Sequence, residues 1–301
     1  MHVLVAGCGW LGSALARALV ARGDRVTGIR RDPARAAALA ALGIEPLALD
    51  LSSPGAAARL PAVDAIVACQ SSAEDSPAAY RAAYLEATRA LLEAGARAGA
   101  RAFVYTGSTG VFGQRDGSQV DETTPPSPAS ATAEVLVEAE RRVLEAPDAL
   151  GVPARLLRLS GLYGPGRLGL VERVRRGALA LGPGDDAFMN FCLLEDAVAF
   201  ARGALERGAP GAIYHGSDAA PARRREVVTW IAERLGLQPP RAPAGSVAPG
   251  GPSRQIRSQA TRRALGVELQ ARSFRHGLAP LVPAAPGAPA LADPPADPPG
   301  G

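Results

Sequence analysis

The chain opens on an unbroken apolar run, His2 to Ala6, and after a glycine-rich turn continues with apolar positions at helical spacing from Trp10 to Ala21, halted at Gly23. A short run with no polar alternation predicts a strand covered on both faces, and the spacing after it predicts an amphipathic helix. The unit then repeats. Arg25 to Ile29 predicts a strand, Pro33 to Leu42 a helix with Asp32 as N-cap, and Ile44 to Leu49 another strand. Val63 to Cys69, Ala102 to Thr106 and Ala154 to Leu159 supply further strands, with helices near 77–98 and 130–145 between them. Strands alternating with helices predict an α/β fold with a doubly wound parallel sheet, here over residues 1–160. Beyond this point glycine, arginine and turn residues increase, and helices near 169–180, 195–207 and 223–235 predict a smaller C-terminal lobe over 161–280, interleaved with the first domain. From Pro280 the sequence is dominated by proline and alanine without periodicity, which predicts a disordered tail over 281–301.

Composition narrows the partners. All 33 basic residues are arginine, set against 29 acidic ones for a net charge of +4. Without lysine, no Schiff base, P-loop ammonium or Tyr-Lys catalytic pair can form. Arginine clusters such as 173–176 and 223–225 are short and interleaved with acids, and aromatics are only 4% of residues, so a nucleic-acid surface is not expected. Cys8, Cys69 and Cys192 are odd in number and lack CxxC spacing, as expected of reduced thiols in a cytoplasmic protein. His2, His215 and His276 are too scattered for a metal motif. No stretch approaches the roughly 20 apolar residues of a membrane helix.

Gly7-Cys8-Gly9-Trp10-Leu11-Gly12 is a G-x-G-x-x-G lying between a predicted strand and a predicted helix, the context that makes the motif informative. Gly7 permits the tight turn, Gly9 lets backbone approach a pyrophosphate, and Gly12 allows helix and strand to pack closely, with Trp10 and Leu11 opening the helix whose free N–H groups meet the anion. A carboxylate ending the second strand would select NAD. That place is held by Arg30 with Arg31 beside it, a pair suited to the 2′-phosphate of NADP, so NADP is preferred over NAD. Asp50 and Leu51 follow the third strand, where they could flank the adenine, or Asp50 could cap the next segment.

Further motifs are specific to a family. Residues 105–113, Tyr-Thr-Gly-Ser-Thr-Gly-Val-Phe-Gly, resemble the YxSSxxVYG segment of the extended short-chain dehydrogenase/reductases, the NAD-dependent epimerase/dehydratase family. Residues 157–166 resemble its LRxxxxYGPG, and Asn190 with residues 195–198 resembles its NxxxxxDxA. With 214–218 and 272–278 the resemblance covers about residues 1–280. It implies a Rossmann-type sheet with a C-terminal substrate lobe, often acting on nucleotide sugars. The chain departs from the pattern in its GxGxxG spacing and in lacking the catalytic Tyr-x-x-x-Lys, and so is similar to atypical members described as nucleoside-diphosphate-sugar epimerase-like.

The resemblance places the catalytic serine at Ser108. It places the Tyr and Lys positions at Thr132 and Leu136, or in a register shifted by two at Ser130 and Glu134; none is a tyrosine or lysine. Tyr84, one helical turn before Thr88, is a substitute proton shuttle, or else one half of a Tyr80/Tyr84 packing pair. The expected function is an NAD(P)-dependent oxidoreductase or epimerase/dehydratase-like enzyme acting on a small carbonyl, hydroxyl or sugar-nucleotide substrate through Ser108 with Thr132 or Tyr84. The alternatives are a catalytically silent NAD(P)-binding sensor or scaffold, and a non-redox lyase or isomerase. The Ala-rich stretch 78–98 would suit helix packing in a homodimer.

Overall fold

The computed structural model describes residues 1–182, 185–243 and 251–286. In chain order the first part forms β1 (His2–Ala6), α1 (Trp10–Ala21), β2 (Arg25–Arg30), α2 (Pro33–Ala37), β3 (Glu45–Ala48) and β4 (Ala65–Ala68). It continues through α3 (Pro77–Tyr80), a π-helical turn over Arg81–Glu86, α4 (Ala87–Ala98), β5 (Ala102–Ser108), β6 (Ser118–Val120), α5 (Ala131–Leu150) and β7 (Ala154–Leu159). The rest comprises β8 (Gly161–Tyr163), α6 (Gly169–Arg175), β9 (Phe188–Met189), β10 (Phe191–Leu193), α7 (Leu194–Arg207), β11 (Ile213–Gly216), β12 (Ala222–Arg223), α8 (Arg224–Arg234), β13 (Arg254–Ile256), α9 (Gln259–Leu265) and α10 (Phe274–Leu278).

Seven parallel strands make the main sheet, in the order β11-β7-β5-β4-β1-β2-β3. The apolar run of β1 is explained by its central place. Val3 and Val5 join Leu15, Leu19 and Phe200 in the core under α1 and α7, whereas Leu4 and Ala6 join Leu91, Phe103 and Val143 under α4 and α5. Successive side chains of a strand point to opposite faces, so a sheet with helices on both faces demands apolar residues at every position. The fold is the expected Rossmann-type α/β architecture.

Local geometry departs from the expected elements in instructive places. The helix expected over 33–42 is α2, capped by Asp32 Oδ1 accepting from Arg35 N–H at 2.7 Å, followed by a 3₁₀ turn over Ala38–Leu42 that Gly43 closes. The strand expected at 44–49 is shorter, Glu45–Ala48. The helix expected over 77–98 is interrupted by the π-helical turn, which inserts a wide turn at Tyr84. α5 begins where Ser130 accepts from Ala133 N–H at 3.1 Å and outruns the expected end at 145, reaching Leu150 despite Pro147.

The C-terminal part has its own aromatic core, in which Tyr163, Phe191, Phe274 and Trp230 meet in a row, the first and last pairs edge to face and the middle pair tilted. α7 packs beneath the main sheet and β11 forms an edge of that sheet. The expected helices at 169–180, 195–207 and 223–235 are Gly169–Arg175, Leu194–Arg207 and Arg224–Arg234. Packing of this lobe runs past the expected boundary at Pro280. Val282 is fully buried, and Arg234 donates to the carbonyls of Ala279 and Val282 (2.9 and 2.7 Å). Residues 287–301, the bulk of the expected tail, lie outside the described residues.

Candidate active site

Between β1 and β4 the strand order reverses, and in open α/β sheets the ligand crevice lies at such a switch point, beyond the carboxyl ends of the strands. A cleft of about 880 Å³ occupies this place. Its floor is the glycine turn. Gly7 adopts φ +79°, and a Cβ there would stand 2.5 Å from the backbone of Gln70; a Cβ on Gly12 would stand 2.3 Å from the Gly7 carbonyl oxygen. At Gly9 the nearest atom to such a Cβ is 3.8 Å away, so the turn is open just where a ligand's backbone would approach. The first helical bond of α1 is Ser13 N–H to Gly9 O, and no acidic side chain sits in its first turn, which leaves the N–H groups of Trp10, Leu11 and Gly12 for an anion. These residues fit a dinucleotide.

Trp10 leans across the turn. Its Nε1 donates to Pro165 O at 2.8 Å, and the Arg167 guanidinium lies 5.3 Å from the ring centroid, so the residue after the second glycine ties the cofactor turn to the loop following β8. Arg30, Arg31, Asp50 and Leu51 all line the cleft. Arg30 Nε is buried with no partner, and Arg31 is exposed. Asp50 accepts from Ser52 N–H and Oγ–H (2.9 and 2.7 Å), bonds that hold its carboxyl below the usual range and shape the turn after β3. Cys8 and Cys69 line the cleft too, but burial pushes both thiols up to about 12, so neither is a nucleophile at neutral pH.

Ser108, the last residue of β5, lines the opposite end. Its Oγ accepts from Gly110 N–H at 3.0 Å, which orients the hydroxyl and leaves its proton to be donated. Tyr84 lines the same end from the π-helical turn, and its ring lies 5.1 Å from that of Tyr80, so packing pair and cleft position coexist. Burial pushes the Tyr84 phenol up, and a hydrogen bond from the Ser72 backbone opposes this only in part. The alanines of the same stretch, Ala79, Ala82, Ala83 and Ala87, also line the cleft rather than lying all on an outer face.

Gly12 and Thr132 stand outside the lining. Thr132 lies 3.1 Å, oxygen to oxygen, from the capping hydroxyl of Ser130, while Leu136, one turn further on, is buried against the cleft and Glu134 is exposed. Thr132 therefore does not line the cleft that Ser108 lines. Sequence reasoning missed Gln70, Ser160, Arg167 and Arg254, all of which line the cleft. Gln70 Oε1, Ser160 Oγ and Arg254 Nε are buried there without partners. Ser160 and Arg167 belong to or follow the motif at 157–166, which could have flagged them; Arg254 follows a proline- and glycine-rich stretch that carries no such signal.

Behind Gly107 lies a fully buried ion pair. Arg158 Nη2 donates to Glu140 Oε2 at 2.9 Å, and Nε to both carboxylate oxygens at 3.2 Å. Burial pushes the Glu140 carboxyl up while these bonds pull it back. The Arg158 guanidinium also lies 5.0 Å from the centroid of Phe112, whose far neighbour is His215. Among the described residues no His/Cys/Asp/Glu group is arranged to hold a metal, and no helix is long and apolar enough to cross a membrane.

Comparison with known proteins matches residues 3–215 to the model of the NAD dependent epimerase/dehydratase family. The 3-diazoavenalumate denitrifying reductase of Streptomyces sp is 34% identical over 268 residues, covering 83% of this chain and 86% of that protein. Protein YeeZ of Escherichia coli (strain K12) is 31% identical over 242 residues, covering 79% and 85%. Among solved structures, DesIV (dTDP-glucose 4,6-dehydratase) from Streptomyces venezuelae, with NAD and TYD bound, superimposes with a TM-score of 0.80 at 25% identity, covering 94% of this chain and 96% of that one.

Proposed function

The chain belongs to the NAD dependent epimerase/dehydratase family, and from that premise we propose that it is an NADP-linked reductase of a small carbonyl compound. The carrying observation is the pairing, in one cleft, of a hydroxyl oriented to donate, Ser108, with a half-buried phenol, Tyr84, in a chain that has no lysine to acidify it. A bound dinucleotide supplies the hydride. The N–H groups at the start of α1 would hold its pyrophosphate, Leu51 would lie against the adenine, and Arg30, whose buried Nε otherwise lacks a partner, would hold the 2′-phosphate with Arg31 beside it.

Ser108 Oγ–H donates to the substrate oxygen, polarising the carbonyl. As its carbon is reduced, Tyr84 delivers a proton to that oxygen, giving the alcohol. Since burial raises the Tyr84 pKa and no cation lowers it, the phenol holds its proton throughout the neutral range. A general acid must be protonated, a general base must not, so the site suits reduction better than the proton abstraction that begins oxidation of an alcohol. The relative named as a reductase favours turnover over a silent sensor.

The test follows NADPH consumption with a panel of aldehydes and ketones. Ser108→Ala is expected to slow turnover roughly 10²- to 10³-fold, as loss of one oxyanion donor does. Tyr84→Phe should cost on the order of 10²- to 10⁴-fold. Neither should weaken NADPH binding. Interconversion of a nucleotide sugar with no net NADPH consumption, or full activity in Tyr84→Phe, would count against the reading.

A further inference from the structure

At the chemical end of the cleft Arg254 stands with no carboxylate partner among the described residues. β13 carries Arg254 there and is firmly held: Asn190 Nδ2 donates to the Arg254 carbonyl at 2.9 Å, Asn190 Oδ1 accepts from Ile256 N–H at 2.8 Å, and the Gln255 amide donates to Gly117 O at 2.8 Å. The guanidinium is fixed as well. Its Nη2 donates to the carbonyl of Thr109, the residue after Ser108, at 2.7 Å. Its Nε is buried with no partner, and no described carboxylate pairs with it.

Burial alone acts on this group, pulling its pKa below the ordinary arginine value. An uncompensated buried charge is costly, and proteins match such charges with a counter-ion, as this chain matches Arg158 with Glu140. Here the side chain lines a cleft, so the missing anion can come from a ligand.

We infer that Arg254 receives a carboxylate of the substrate, so that the substrate is an oxo acid with its carboxylate a few bonds from the carbonyl that Ser108 polarises. The inference rests on the reductase reading. The spacing carries it: a guanidinium bonded to the residue following Ser108 sets the anion and the reacting oxygen close together, whereas the diphosphate of a nucleotide sugar is separated from the sugar's reacting carbon by much of the ring. A guanidinium edge with a free Nε–H also matches the two oxygens of a carboxylate.

The test compares kcat/KM with NADPH for straight-chain 2-oxo and 3-oxo acids against their methyl esters. The intact protein should prefer acid over ester by roughly 100-fold, since a site built for a polar group discriminates strongly against its absence. Arg254→Gln should lower kcat/KM for the acids far more than for their esters, so that the preference collapses toward unity; Arg254→Lys should restore part of it. Equal rates for acids and esters in the intact protein, or equal slowing of both in Arg254→Gln, overturn the inference while leaving the reductase reading intact. Reduction of no carbonyl at all overturns the reductase reading, and the inference with it.

Discussion

At the glycine-turn end of the cleft, Gly7, Gly9, Gly12 and the start of α1 set the shape through backbone alone, whereas at the other end Ser108, Tyr84 and Arg254 arrive from β5, the π-helical turn and β13. The first end is one contiguous segment whose contacts follow from φ angles and missing Cβ atoms. The second is assembled from segments far apart in the chain, and it is there that several buried polar atoms lack partners. Backbone shape binds what all members of such a fold share. Side chains on separate elements can be exchanged without disturbing it, which is how this chain keeps the glycine turn while lacking the Tyr-x-x-x-Lys expected of the family.

If that division is right, damage behind the chemical end should be electrostatic and damage at the glycine turn steric. The largest effect is expected from Glu140→Gln, which leaves Arg158 buried without its carboxylate and should cost about 3–5 kcal/mol in denaturant unfolding. Replacing both residues by apolar ones of similar volume should recover much of that loss, because neither charge then remains unpaired.

A pH dependence comes next. His215 is fully buried, its Nδ1 hydrogen-bonded to Arg257 O at 3.2 Å, and burial with the nearby Arg158 charge pushes its pKa from 6.5 down to about 4, while Asp121 pulls the other way. Between these values the unfolded chain takes up a proton that the folded one refuses. Its contribution is therefore complete above about pH 6.5 and is lost progressively toward pH 4, by an amount of order 3 kcal/mol. Melting curves of the intact protein and His215→Gln should converge as the pH falls through this window.

Gly7→Ala places a Cβ 2.5 Å from the Gln70 backbone at positive φ, and should cost about 1–3 kcal/mol while abolishing NADPH binding. Smallest is Arg30→Ala. It should weaken NADPH binding about tenfold in calorimetric titration, equivalent to 1.4 kcal/mol, and leave NADH binding unchanged. An equal loss for both dinucleotides would remove Arg30 from cofactor selection.

Legibility in the sequence divides along the same line. The run His2 to Ala6, the glycine spacing and the Gly23 stop all lie within the first 23 residues, and local sterics tie them to strand, turn and helix. The π-helical turn at Tyr84 was not legible, because a single wide turn leaves helical periodicity nearly unchanged over the alanine-rich stretch around it. Nor was the burial of Val282, since a proline-rich segment shows no period yet still packs where Arg234 satisfies its carbonyls. Thr132 was reached through a motif register, and register along a helix says nothing of which turn faces a cleft.

The sequence by itself determined the parallel sheet, the dinucleotide turn, the arginine pair ending β2 and the absence of any lysine, because each is a matter of residue identity or short-range spacing. Only the tertiary structure decided that Leu136 rather than Thr132 faces the cleft, that Trp10 grips the loop at Pro165, and that Arg254 comes to rest on the carbonyl of Thr109. These are contacts across more than a hundred residues for Trp10 and Arg254, fixed by packing and by the matching of buried polar groups, and no local pattern encodes them.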